Sequence, residues 1–150
     1  MDALERVEVA VRTQLVCHFS TIHGAFGYLD RNKLPGLNHA KYTQWMTESA
    51  GEIKRSKEAF VTHFKNKYGD KHTMPPIWML AELMSFGRML TFFNGVDATI
   101  RSNIAKEYRV PDAVLRSWLL ALNVVRNICA HQGRLWNQEL PLSCLPIIVS

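Results

Sequence analysis

The fold turns on Leu115-Arg116-Ser117-Trp118-Leu119-Leu120-Ala121-Leu122-Asn123-Val124-Val125-Arg126-Asn127-Ile128-Cys129-Ala130-His131. On a helix each residue advances about 100°. Leu115, Trp118, Leu119, Leu122, Val125 and Cys129 then share one apolar face and are expected in a core. Arg116, Asn123, Asn127 and Arg134 fall within about 20° of one direction on a second face, if helix persists that far. His131 lies about 40° beyond Asn127, and Arg126 about 100° to its other side. Asp112 is expected to N-cap this helix and Gly133 to close it. A long apolar helix near the C-terminus needs other helices to cover it.

The rest of the chain supplies them. Leu4, Val7, Val11, Leu15, Cys17 and Phe19 recur at helical spacing from Asp2 to Ile22. Residues 24–40 carry Gly24, Gly27, Pro35 and Gly36 and are expected to be loop. A second helix is expected from Tyr42 to Phe64, with the charges of Glu48, Glu52, Lys54, Arg55, Lys57 and Glu58 on a solvated face. A basic loop, Lys65 to His72, ends at Pro75-Pro76. A third helix, Ile77 to about Phe93, starts there with Pro76 in its first turn. A short helix from Ala98 to Tyr108 precedes Val110-Pro111. The tail, with Pro141, Pro146 and Ile147-Ile148-Val149, is expected to be irregular or an edge strand. No alternation of strand period appears at length. The expectation is an all-α bundle of about five helices in a single domain, residues 1–150.

Composition bounds the function. The 150 residues are 47% hydrophobic and 21% charged, so the chain folds rather than stays disordered, and it is long enough to bury about two-thirds of its unfolded surface. A net charge of +5 suits a polyanionic partner, although that signal alone is weak. The three cysteines, Cys17, Cys129 and Cys144, form no CxxC pair. The six histidines show no HExxH or His-x3-His pairing with nearby carboxylates, so neither a metal nor any other cofactor is expected. The start, Met1-Asp2-Ala3-Leu4-Glu5-Arg6, is unlike a signal peptide. No apolar run approaches the ~18 residues of a membrane span. A cytoplasmic location, away from membranes, is the expectation.

The polar groups on the final helix have a plain explanation and a chemical one. A histidine and an arginine near a helix C-terminus complement its dipole, and an asparagine can order neighbouring helices. Yet Arg126, Asn127, His131 and Arg134 also bring together a titratable imidazole, fixed positive charge and an amide. RNA cleavage without a metal requires that set.

At this point a resemblance enters. Arg126-Asn127-x-x-x-His131 resembles the Arg-x(4–6)-His motif of the HEPN superfamily of all-α ribonucleases and nucleotide-binding domains. Arg126-Asn127-Ile128-Cys129-Ala130-His131-Gln132-Gly133-Arg134-Leu135-Trp136-Asn137 resembles more closely the signature of the bacterial Abi-like (abortive infection, AbiD/AbiF type) family. Asp2 to Thr13 resembles that family's first helix. Pro76-Ile77-Trp78, Glu82 and Ser85-Phe86-Gly87 resemble its Pro-x-Trp…Glu…Ser-Phe-Gly helix, and Ile104-Ala105-x-x-Tyr108 and Ser117-Trp118-Leu119 match as well. The resemblance covers most of the chain. It implies a HEPN-like bundle and a toxin-like endoribonuclease, with Arg126 and His131 catalytic and Asn127, Arg134, Asn123 and Arg12 substrate-binding. It also implies a homodimer with two motifs facing each other, RNA as substrate and an RNA or protein antitoxin as partner. Arg6 and Glu82 are weaker additions from neighbouring helices. Family members are commonly about twice as long, so the chain is expected to correspond to the C-terminal part of a longer architecture.

Two other functions stay open. One is an inactive module that binds RNA or an antitoxin without cutting. The other is a DNA-binding helix-turn-helix over residues 104–119, although a recognition helix is normally shorter and more polar than this one. Trp136 either plugs the bundle end or stacks on a base. The Lys65–His72 run is either a solvated loop or a phosphate contact.

Overall fold

The computed structural model describes residues 2–130, and these are helical with no strand among them. In chain order the helices are α1 (Asp2–His23), α2 (His39–Arg55), α3 (Ala59–Tyr68), α4 (Ile77–Leu83), α5 (Phe86–Gly95), α6 (Ala98–Glu107) and α7 (Asp112–Ala130), with two short 3-10 turns at Gly27–Leu29 and Arg31–Lys33. Seven α-helices therefore stand among the described residues where about five were expected.

Both extra helices come from breaks within segments expected to be continuous. The expected helix over Tyr42–Phe64 stops at Ser56, whose backbone is extended (φ −66°, ψ 134°), and α3 restarts after Glu58. The expected helix over Ile77–Phe93 stops at Met84, also extended, and Ser85 begins α5 by accepting the Arg88 N–H on its hydroxyl at 3.3 Å. A serine hydroxyl competes for backbone donors and favours such a start over helix continuation. In α2 Asn38 plays the same part for Lys41 N–H, at 2.8 Å. Asp112 is not the N-cap of α7. It lies in the first turn, and the Pro111 carbonyl takes the first bonds, from the N–H groups of Val114 and Leu115. Pro76 sits one place before α4, where its carbonyl accepts from Met79 and Leu80.

The core is built where these helices meet. Val11, Leu15 and Phe19, one turn apart on α1, are buried against Ile100 and Ile104 of α6, Leu80 of α4 and Phe92 of α5. Phe92 is central: Phe19 meets it edge-on at 5.0 Å and Trp45 stacks on it at 5.3 Å. α7 buries Leu115, Leu119 and Ala121 on this core, and Trp118 and Leu122 pack at its edge. It is not apolar all round: Arg116, Ser117, Leu120 and Asn127 are exposed and Val125 is half-buried. The expected long apolar C-terminal helix is thus an amphipathic one over its described length, covered on one side only. Val7 and Cys17 of α1, expected inside, are exposed. Among the described residues no helix is long and apolar enough to cross a membrane. The expected cap at Gly133 and the tail lie outside the described residues.

Candidate active site

Arg126 projects from the last described turns of α7 toward α1 and meets a buried carboxylate there. Glu8 sits on α1 in register with Leu4, Val11 and Leu15, the apolar stripe, so the fold carries it inward to 7% exposure. A buried carboxylate is stable only with partners, and it has two. Arg12, one turn on, donates through Nη2 to Glu8 Oε1 at 3.1 Å, and Arg126 donates through Nε to Oε2, also at 3.1 Å. One carboxylate therefore holds two guanidiniums from the two ends of the described chain, with a formal charge of +1 for the trio.

The two arginines are placed differently. Arg12 is turned inward: its side chain is 15% exposed, its Nη2 also reaches the Met84 carbonyl at 3.4 Å, and its Nε is buried without a partner among the described residues. Arg126 keeps 38% of its side chain exposed. Only its Nε is engaged, and both Nη groups remain available among the described residues. Those two groups form the fork that grips phosphate oxygens in pairs.

Asn123 lies one turn before Asn127 on α7, with its amide over Gly87 of α5. A side chain at Gly87 would meet it at ordinary contact distance, 3.7 Å. Asn127 is exposed. The structure thus joins Arg12 and Arg126 through Glu8, and leaves Asn123 and Asn127 on the neighbouring strip of α7. His131, Arg134, Trp136 and the second half of the motif lie outside the described residues. Arg6 and Glu82 are exposed and make no described polar contact with the trio. In the Lys65–His72 run, Lys65 Nζ reaches the Lys54 carbonyl at 3.4 Å and His72 stacks on Phe26 at 4.4 Å.

Glu8 is the residue that sequence reasoning did not single out. A signal existed: at Leu4-x3-Glu8-x2-Val11-x3-Leu15 a charge occupies an apolar position, with an arginine four residues later.

Fold and site define an all-α protein whose first and last described helices are locked by an arginine–carboxylate–arginine bridge. The chain belongs to the family of Abi-like proteins, whose model matches residues 1–137. No curated protein matches the chain, and no solved structure does.

Proposed function

We propose that this chain is a toxin-like endoribonuclease of the HEPN type, acting in abortive infection and cleaving RNA without a metal at a site that Arg126 and His131 share. The observation that carries the proposal is the bridge at Glu8. It fixes Arg126 through Nε and, among the described residues, leaves the Nη fork for a phosphodiester.

The chemistry follows from the residue types. The ribose 2′-hydroxyl attacks the adjacent phosphorus as His131 removes its proton. The bond to the 5′-oxygen breaks, that oxygen takes a proton, and the products are a 2′,3′-cyclic phosphate and a free 5′-hydroxyl. Arg126 answers the charge that grows on the non-bridging oxygens, and its rigid setting means little has to move at the transition state. Asn127, Asn123 and Arg134 bind the strand on either side. Arg12 acts one step back, by holding Glu8. Two copies supply the motif from both sides of a homodimer, and an antitoxin of RNA or protein would restrain it.

Incubation of the protein with end-labelled single-stranded RNA in EDTA tests this. Cleavage with a cyclic-phosphate end is expected. His131→Ala is expected to lower the rate by about 10² to 10⁴, and Arg126→Ala by about 10² to 10³. Cleavage that EDTA abolishes, or that survives His131→Ala, would overturn the proposal.

A further inference from the structure

A second polar site lies on the same side of α7 as Asn123 and Asn127, toward its N-terminus, about 10 Å from Asn123 and about 16 Å from Asn127 at the helical rise of ~1.5 Å per residue. The loop before α2 is laid directly on the end of α5: Gly36 N–H donates to the Gly95 carbonyl at 2.8 Å, and a Cβ at Gly36 would stand 2.0 Å from the Asn94 carbonyl oxygen. Only glycine permits that approach. The loop, the first turns of α2, the end of α5 and the start of α7 then enclose a cleft of about 370 Å³. Its size is that of a small-molecule site.

Lys41, Gln44, Glu48, Thr91, Asn94 and Arg116 line it. Glu48 is already answered, by Gln44 Nε2 at 3.2 Å and by Arg88 Nε at 3.6 Å. The two cations are not. Among the described residues Lys41 has no ion-pair partner and Arg116 spends only its Nε, on the neutral Asn94 Oδ1 at 3.1 Å. Arg116 is therefore held as Arg126 is, by Nε, with its fork open. Asn94 keeps its amide N–H groups, while Gln44 keeps its carbonyl oxygen and Thr91 its hydroxyl oxygen as acceptors. Cationic donors beside neutral donors and acceptors match a phosphate joined to a base and ribose. A bare anion would leave the acceptors unused.

We propose that this cleft is a nucleoside-phosphate subsite, in which Arg116 and Lys41 take the phosphate and Gln44, Thr91 and Asn94 take the base or ribose. It goes beyond the cleavage proposal and uses neither Arg126 nor His131. The nucleotide is either free or one unit of a strand lying along α7.

Binding separates these sources. The full chain carrying His131→Ala, in EDTA, is titrated with a fluorescein-labelled single-stranded oligoribonucleotide and, separately, with nucleoside monophosphates. Arg116→Gln and Lys41→Gln are each expected to weaken binding about tenfold, and to reduce the salt slope for the oligonucleotide by about 0.7. Lys57→Gln, exposed and outside the cleft, is expected to change neither. Loss with both ligands assigns the cleft to free nucleotides, and loss with the oligonucleotide alone assigns it to a strand; either supports the proposal. Unchanged binding in both variants, or no binding of either ligand by the parent chain, overturns it. Arg116 and Lys41 are exposed, so helix content and thermal midpoint should hold in both variants. The readout is binding, and failure of the cleavage proposal would leave it intact.

Discussion

Glu8 is the residue on which the candidate site hangs, and its role separates from that of a core charge by two measurements. Glu8→Gln keeps the shape but leaves Arg12 and Arg126 without a counter-charge. It is expected to cost about 1.5–3 kcal/mol of stability, the worth of hydrogen bonds to a charged group. It should also slow cleavage by more than the small loss of folded protein at 25 °C explains, because Arg126 loses its fixed direction. Equal kcat in folded Glu8→Gln and parent protein would reduce Glu8 to a structural tie. The buried phenols give a second residue-level outcome. Burial, and then Tyr42, pushes Tyr28 well above its ordinary value of 10.0, and its hydroxyl donates to the Pro75 carbonyl at 2.5 Å. Burial and then Glu107 raise Tyr108 in the same direction. The unfolded phenols lose protons first, so their stabilisation is complete below about pH 10 and is lost as pH rises beyond it. The thermal midpoint should fall from about pH 10 upward, and less steeply in Tyr28→Phe, whose midpoint at neutral pH is lower because the Pro75 bond is gone. Arg126 was legible in the sequence because its motif is local. Glu8 was not, because its value comes from a partner far along the chain.

At the scale of elements, the spacing of apolar residues gave the course of α1, α6 and α7 within a residue or two over the described length. It failed at two joints. Ile77, Leu80, Ala81 and Met84 share one helical face, whereas Phe86, Met89, Leu90 and Phe93 lie about half a turn away on the opposite one, so no single helix buries both sets, and α4 ends at Met84. The jump of face is the sequence signal that a continuous reading missed, and the Ser85 hydroxyl secures the break by taking the Arg88 N–H. Ser85→Ala is expected to lower stability by about 1 kcal/mol, read from urea unfolding. It should also disturb Arg12, since the carbonyl that Arg12 reaches belongs to Met84, which the break leaves extended. Ser85→Thr or Ser85→Asp, which cap as well, should restore both. A serine hydroxyl acts likewise at Ser56, accepting the Glu58 N–H at 3.2 Å between α2 and α3. Arg88 shows what only packing reveals: the sequence offers Glu48, Glu52 and an arginine on separate helices, and the fold buries the arginine beside both carboxylates and within 5.8 Å of the Trp45 ring.

For the whole molecule, the proposed homodimer can be tested without a view of its interface. Arg126→Ala and His131→Ala proteins, each inactive, are mixed after joint unfolding and refolding. If a site takes its arginine from one copy and its histidine from the other, the mixed dimer contains one intact site and cleavage returns. If each copy is self-sufficient, the mixture stays as inactive as its parts. The all-α class was readable because no segment carries a strand period, whereas the joining of α1 to α7 was not, since no local pattern connects residues 118 positions apart. That separation has a consequence during synthesis. Glu8 leaves the ribosome with Arg12 beside it, and that pair can form in the first helical turns. Arg126, 118 residues behind, follows only after roughly 6 to 24 s at ordinary elongation rates. Until then the carboxylate is held by one arginine and the bridge to α7 cannot exist. A nascent chain moving beside messenger RNA therefore passes most of its own translation with the guanidinium clamp unassembled.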